Sequence, residues 1–251
     1  MRPRYPEHMI ATLALAALSL SPAQFGSAAR PPEAETRVLV YTRTTGFRHS
    51  SIKAGVEAMR KLAHDKKFAM EHTEDPAQFS PDNLKRFDVV VFLNTTGDVL
   101  DDSGQEALQK FLRGGKGFVG IHSATDTEYD WPWYGQMIGA YFASHPAIQA
   151  ADVHVLDRSH PSTKMLPERW RRTDEWYDFR ARPSDKVRIL AVVDESTYQG
   201  GKMGKDHPVM WCQEFEGGRV WYTAMGHTDE TYSEPLFLES LHQGILWAAR
   251  R

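Results

Sequence analysis

Histidines that could do chemistry recur at the ends of apolar runs in this sequence, which has 11 histidines in all. His122 ends such a run and His227 follows one, while His49 ends the loop after the first run and His207 directly precedes another. Imidazole titrates near neutral pH and also binds metals, so these side chains suit general acid–base catalysis or metal binding. Any one of them could instead be solvated or satisfied in a core. Four histidines at comparable positions favour a shared site.

His122 stands in the segment GIHSA, the most informative of these positions. In the motif G-x-S-x-G, a tight strand-to-helix turn with small neighbours holds a serine exposed above a sheet. Here the exposed residue is predicted to be His122, as a general base, a general acid or a metal ligand. Ser123 would fit the serine position only after a shift of one residue. The alternative is that His122 merely caps the following turn.

Two adjacent carboxylates, Asp174 and Glu175, lie in the run TDEWYDF. Neighbouring side chains on an extended segment point to opposite faces, so only one of them can enter a pocket directly. We expect this to be Glu175, which would orient a histidine, transfer a proton or share a metal. The alternative is an ion pair with the preceding arginines of RWRR. Asp126, four residues after His122, is a second candidate to orient that histidine.

A divalent metal is one use for these groups, with His49, His122 and His227 as candidate ligands. Histidine together with carboxylate suits zinc, iron or manganese. No closely spaced histidine pair of the H-x-x-H or H-x-x-x-H type singles out a metal. Trp131 and Trp133 could stack on a sugar face, and core packing is the alternative for both.

Apolar runs alternate with helical patterns through the first half of the chain. Strands are expected in RVLVYT, KFAMEHT, DVVVFLN and GFVGIH, helices near 52–65, 81–87, 101–114 and 234–249, later strands near 151–156 and 187–193, and a hairpin turning at Gly217-Gly218. This order predicts an α/β fold with a doubly wound, mostly parallel sheet and antiparallel additions at one edge. Ligands of such sheets bind at the carboxyl ends of the strands, where the histidines are expected.

The first 29 residues resemble a secretory signal peptide, and residues 30–36 form a Pro-containing linker. Two arginines precede an apolar run that is too short for the ~20 residues needed to cross a bilayer, and small residues follow it. We expect a periplasmic or secreted protein with no membrane anchor after cleavage. A retained anchor is the alternative.

The net charge bears on nucleic-acid binding, and the cysteine content bears on disulfide and thiol chemistry. The formal net charge is −3, which excludes the basic surface expected of a nucleic-acid-binding protein. Cys212 is the single cysteine, so no intramolecular disulfide can form. Its apolar neighbours predict a buried structural thiol, with a catalytic thiol as the alternative. The oligomeric state stays open.

Several ordered motifs together resemble the ThuA-like, or trehalose-utilisation, family. They are RVLVYTRTTGFRHSSI, GFVGIHSATD, FASHP, SHPSTKMLP, DEWYDF and GGRVWYTAMGHTDETY, and they indicate one ThuA-like domain over residues 37–249. The resemblance implies a flavodoxin-like fold related to class I glutamine amidotransferases. His122 would stand where those enzymes carry the nucleophilic cysteine, which disfavours thiol-dependent amidotransfer.

The resemblance also implies a small carbohydrate as substrate, specifically a 3-ketoglycoside cleaved by elimination and hydration. A histidine such as His122 or His49 would remove the C2 proton, and a protonated His227 or a bound metal would stabilise the enolate. The substrate-binding candidates are Trp131, Trp133, His145, Asp174, Tyr177 and His207.

Two other functions stay open at this level. The same histidines and aromatic residues could hold a sugar or a metal in a binding module without turnover. They could also serve a metal-dependent hydrolase of non-sugar substrates.

Overall fold

Buried strands and amphipathic helices alternate along the part of the chain that the computed structural model describes, which is Met1 and residues 35–251. The predicted signal peptide and most of the linker therefore lie outside the described residues. The elements are, in chain order, β1 (Arg37–Tyr41), α1 (Ile52–Lys66), β2 (Ala69–Thr73), α2 (Pro81–Leu84), β3 (Val89–Leu93), α3 (Asp102–Arg113), β4 (Gly117–Ile121), α4 (Pro132–Ile138), β5 (Phe142–Ser144), β6 (Gln149–Val155), β7 (Arg169–Asp174), β8 (Asp178–Phe179), β9 (Arg188–Val193), β10 (His207–Phe215), β11 (Gly218–Thr223) and α5 (Pro235–Ala248).

Nine strands form one sheet in the order β2-β1-β3-β4-β11-β10-β9-β6-β7. The first five of these run parallel, and the remaining neighbours pair antiparallel. The predicted parallel sheet with antiparallel additions at one edge is confirmed. Two short strands, β5 and β8, form a separate antiparallel pair.

Helices cover both faces of the sheet, as expected for a doubly wound fold. Adjacent residues of β11 show the two faces, because neighbouring side chains on a strand point in opposite directions. Trp221 packs closely against Gly244 of α5. Tyr222 stacks on Trp211, whose indole N–H donates to the carbonyl oxygen of Ile138 in α4. Strand β3 is buried along its whole length between these layers, which explains its uninterrupted apolar sequence.

Two details differ from the expected elements. The segment RWRRTD, where no strand was predicted, forms the regular strand β7. Its residues are alternately exposed and buried, and the arginines at positions 169 and 171 point outward. The β10–β11 hairpin turns at Glu216 and Gly217, one residue before the predicted position. Both residues have positive φ, 47° and 93°, as the two central positions of a tight hairpin turn of type I′ require.

The carboxyl ends of β1, β3, β4 and β11 lie at one edge of the sheet because these strands are parallel. Each antiparallel step reverses direction, so β9 and β7 also end at this edge and β10 begins there. The topology therefore gathers the segments that follow β1, β4, β7 and β11. No helix among the described residues is long and apolar enough to cross a membrane.

Candidate functional site

His122 comes directly after β4 and holds the left-handed backbone conformation, with φ of 50°. Its side chain is fully buried, and its Nδ1 lies 2.7 Å from the carbonyl oxygen of Ala224. A carbonyl oxygen only accepts hydrogen bonds, so Nδ1 carries the proton and Nε2 is the nitrogen directed at the rest of the site. The turn presents the imidazole above the strand end, as the GIHSA motif predicts. The predicted exposure is wrong, because the rings of His49, Tyr177 and His227 pack against the imidazole and bury it.

Asp174, the last residue of β7, fixes the two loops that carry the neighbouring side chains. Its carboxylate accepts hydrogen bonds from the backbone N–H groups of Glu175 (2.9 Å), Gly226 (3.0 Å) and His227 (3.0 Å). The buried guanidinium of Arg172 donates to the same carboxylate over 3.0 Å. Asp174 therefore locks the loop after β7 to the loop after β11.

Three atoms that could bind a metal lie close together: His122 Nε2, His227 Nδ1 and Glu175 Oε2. His122 Nε2 lies 3.1 Å from His227 Nδ1 and 3.5 Å from Glu175 Oε2, and His227 Nδ1 lies 2.9 Å from the same oxygen. Burial alone would raise the pKa of Glu175, but hydrogen bonds and charge from the two imidazoles outweigh it and lower the pKa to about 2. Glu175 is a carboxylate at neutral pH.

His49, in the loop between β1 and α1, completes the cluster. Its ring meets those of His122 and His227 edge-on, with centroid separations of 4.9 and 5.0 Å. Burial, followed by the charges of those two histidines, lowers the pKa of His49 to about 3. A neutral imidazole is the form that can donate a lone pair to a metal.

The cluster fits a divalent metal. His49, His122, Glu175 and His227 each offer one ligand atom, and these atoms all lie within 4.8 Å of one another. Bonds of 2.0–2.1 Å to a tetrahedral metal place neighbouring ligand atoms about 3.3 Å apart, close to the three separations above. The carbonyl oxygen behind His122 is the partner that commonly orients a metal-bound imidazole. Three imidazoles and one carboxylate suit zinc, iron or manganese.

Three members of the cluster, His49, Glu175 and His227, line a cavity of about 420 Å³, and His122 lies buried behind them. The cavity is lined by Phe47, His49, Asp126, Phe142, His145, Glu175, Tyr177 and His227. Burial raises the pKa of Asp126 above its ordinary value, although the Tyr129 hydroxyl donates to it over 2.5 Å. A carboxyl group with a raised pKa that lines the same cavity as the cluster is equipped for proton transfer.

Seven of the predicted site residues thus come together, four in the cluster and three along the cavity. The latter are Asp126, His145 and Tyr177. His145 Nδ1 lies 2.9 Å from Glu175 Oε1, so this histidine contacts the carboxylate oxygen that faces away from the cluster. Among the described residues, Glu175 forms no ion pair with the RWRR arginines, and Arg172 pairs with Asp174 and Glu234 instead.

Four other predicted residues lie outside the cavity. Asp174 is fully buried because its carboxylate serves the backbone groups described above. His207 is also fully buried, and its ring lies 2.7 Å from the carbonyl oxygen of Tyr177 and 2.8 Å from Glu195. His207 therefore holds the backbone of Tyr177 in place through this hydrogen bond and does not face the cavity.

Trp131 and Trp133 are the other two. Their rings stack on each other, and Trp133 packs on Phe215 and donates to Glu216 in the β10–β11 turn, at the opposite edge of the sheet. They are far from the histidines because α4 runs back from the carboxyl edge. A larger cavity of about 830 Å³ adjoins α4 and the β10–β11 turn, and none of the predicted site residues lines it.

Sequence reasoning missed three residues of the cavity region, Phe47, Phe142 and Tyr129. Phe47 and Phe142 stand inside the motifs GFRH and FASHP, each close to a histidine that was selected. An aromatic residue beside a candidate histidine was the available signal. Cys212 is buried as expected, and burial raises its pKa to about 12, which rules out a reactive thiolate.

Fold and site together define an α/β protein with a buried histidine–carboxylate centre at the carboxyl edge of a doubly wound sheet. The model of the ThuA family, described as trehalose utilisation, matches residues 37–248, and the chain belongs to this family. No curated protein shows significant similarity to the sequence.

Solved structures share the fold. A protein described as ThuA-like from Bacteroides uniformis is 24% identical, with a TM-score of 0.75, over 89% of this chain and 95% of that one. A second from Parabacteroides merdae is 20% identical, with a TM-score of 0.73, over 86% and 90% of the two chains. A β-galactosidase from Bacillus circulans sp. alkalophilus is similar over 84% of this chain and 31% of its own, with a TM-score of 0.57 and 13% identity.

Proposed function

We propose that this chain is a metal-dependent enzyme that cleaves 3-ketoglycosides. The observation that carries the proposal is the convergence of three imidazoles and the Glu175 carboxylate in a cluster whose outer members line the same cavity as Asp126. Membership of a family described as trehalose utilisation supports a sugar as the substrate class. A cavity of about 420 Å³ is in the range of small-molecule sites.

The reaction starts at the carbon next to the ketone. A carbonyl group at C3 of the sugar acidifies the C2 proton, which a base of the chain removes. The C2–H electron pair forms the C1–C2 double bond through the enolate, and the C1–oxygen bond breaks, so that the leaving group departs with its oxygen. Addition of water across the double bond then restores C2–H and places a hydroxyl on C1. The net change is hydrolysis.

Asp126 is the better base than His122. Both nitrogens of His122 are engaged, one with the carbonyl oxygen of Ala224 and the other with the cluster, and the side chain is fully buried. Asp126 lines the cavity, and its raised pKa brings its proton affinity closer to that needed at neutral pH.

The remaining groups have separate roles. A divalent metal held by the cluster would stabilise the negative charge that develops on the C3 oxygen. His145 is partly exposed at the cavity and contacts Glu175, so it is placed to give a proton to the departing oxygen. His49, His122 and His227 act as ligands, with Glu175 as the charged member of the set.

The resemblance of residues 1–29 to a secretory signal peptide supports a periplasmic or secreted location for this activity. A sugar that enters the periplasm and is oxidised there would meet the enzyme without crossing a further membrane.

The proposal is tested by incubating purified protein with 3-keto-trehalose and a 3-keto-β-glucoside and following the products by mass spectrometry. An EDTA-treated aliquot and the His122→Ala variant serve as controls. We expect cleavage by the wild type, a loss of at least 100-fold in the variant and restoration of the EDTA-treated sample by added metal. A wild type that binds these sugars and leaves them intact would make the chain a binding module instead.

A further inference from the structure

Phe47 is an exposed aromatic residue at the mouth of the active-site cavity. Its side chain is 66% exposed, although large apolar side chains are normally withdrawn from water. The other large apolar residues exposed within 35–251 are Ile148, Leu156 and Leu236, and none of them lines this cavity. A single phenylalanine is too small a patch to hold a protein partner. Its position favours a ligand of the cavity.

The loop that carries Phe47 is held in place. Thr96 donates through its hydroxyl to the carbonyl oxygen of Phe47 over 2.7 Å, and the backbone N–H of Thr45 donates to the carbonyl oxygen of Thr96 over 2.9 Å. Thr44 and Thr96 also form an isolated parallel bridge. The phenyl ring contacts His49 edge-on with centroids 4.9 Å apart. Phe47 is thus exposed on an anchored loop, which lowers the entropic cost of using it as a binding platform.

Aromatic rings also form another part of the cavity wall. Phe142 packs on Tyr177 with centroids 4.3 Å apart, and the ring of His145 stacks on both at 5.9 and 6.0 Å. Glu175 and His49, by contrast, are only 5% and 4% exposed. The reacting ring must approach these buried groups. A substituent on its C1 would extend outward, to the rim where Phe47 lies.

We propose that Phe47 forms a leaving-group subsite, packing on the apolar C–H face of the second sugar ring that the reaction releases. The inference rests on the proposed function, because it takes the reacting ring to sit at the histidine cluster. It makes Phe47 a specificity-determining residue for disaccharides over glycosides with a small leaving group. The ring stays a recognition element and takes no part in proton transfer.

The test compares 3-keto-trehalose with methyl 3-keto-α-glucoside, which has the same reacting ring and lacks the second one. Phe47→Ala should lower the preference in kcat/KM for the disaccharide about tenfold, mainly through KM, because the variant loses the aromatic contact with the second ring. Tenfold corresponds to about 1.4 kcal/mol. Phe47→Trp should restore the preference. Leu156→Ala, which removes a similarly exposed apolar side chain (60%) outside the cavity, should leave it unchanged.

An unchanged preference in Phe47→Ala, or an equal loss on both substrates, overturns the subsite while the proposed function stands. If the wild type cleaves neither substrate, the proposed function fails and calorimetric titration with unoxidised trehalose and methyl α-glucoside decides the subsite. Tighter binding of trehalose that Phe47→Ala removes would support it. Equal binding of the two sugars, or no binding, would overturn it. Thermal unfolding of each variant confirms that it folds.

Discussion

His122 combines a left-handed backbone with a fully buried side chain, and both features follow from its task. A non-glycine residue with positive φ costs of order 1–3 kcal/mol, which the surrounding structure must offset. Strand β4 and the hydrogen bond to the carbonyl oxygen of Ala224 hold it there. The result is an imidazole whose second nitrogen is directed at the cluster before any ligand arrives, which is the preorganisation that metal binding requires.

Asp126 is the residue on which proton transfer depends in the proposed mechanism. Asp126→Asn keeps the shape of the side chain and removes the base, so kcat should fall at least 100-fold, as loss of one general acid–base group typically produces. Bound metal should stay unchanged, since Asp126 is outside the cluster. Steady-state kinetics and metal analysis of the same sample measure both.

Asp130→Asn is the matched control, four residues further on and exposed to solvent. It should behave like the wild type. Full activity in Asp126→Asn would contradict the role of Asp126 and return the base to one of the histidines.

At the scale of elements, the site depends on two loops that Asp174 joins. Asp174→Asn would keep the size of the side chain but place an amide among three backbone N–H donors. It would also remove the buried one of the two carboxylates, Asp174 and Glu234, that pair with Arg172. Breaking a buried ion pair from one side typically costs about 3–5 kcal/mol. We expect the free energy of unfolding to fall by about that much, as measured by denaturant titration.

Asp229→Asn, an exposed change close to the same loop, is the control and should cost less than about 0.5 kcal/mol. If the two variants had equal stability, the carboxylate of Asp174 would not be what holds the loops together.

The elements that sequence reasoning predicted are those with a strong local signal. The apolar run of β3 and the periodic pattern of α3 gave both type and position, and the GIHSA turn located His122. Strand β7 was missed because its arginines occupy buried as well as exposed positions, so the sequence shows no clear alternation of apolar and polar residues. Asp174 was predicted to bind substrate because no local pattern shows its true hydrogen-bond partners. These partners, the backbone N–H groups of Gly226 and His227, are distant in sequence.

At the scale of the whole molecule, the site joins the two halves of the sheet. The parallel strands supply His49, His122 and His227, and the antiparallel addition supplies Glu175 from the end of β7. The sequence predicted each of these four residues, since each lies directly after a strand or in the loop that follows one. It could not separate Trp131 and Trp133 from the site, because proximity in sequence to His122 says nothing about the direction in which α4 leaves.

Stability at mild acidity should depend on His160, which is far from the site. Its Nδ1 accepts from the backbone N–H of Ser162, its ring is 1% exposed, and burial followed by the charge of Arg188 lowers its pKa to about 4 from 6.5. The unfolded chain therefore binds more protons between these two pH values. The free energy of unfolding should fall as pH drops through this window, by up to about 3 kcal/mol from this residue.

His160→Gln removes the titrating group and should flatten that part of the curve, as measured by denaturant unfolding at a series of pH values. His64→Gln, at a highly exposed histidine, should leave the slope unchanged. A curve for His160→Gln that matches the wild type would show that other groups set the acid sensitivity.

His49, His122, Glu175 and His227 are proposed to hold a divalent metal, and the metal content of the purified, full-length protein tests this directly. Mass-spectrometric metal analysis should find close to one equivalent of zinc, iron or manganese per chain in the wild type, and Glu175→Gln and His227→Ala should lose most of it. A wild type that neither retains metal nor gains thermal stability when zinc, iron(II) or manganese is added would show that these four residues do not form a metal site.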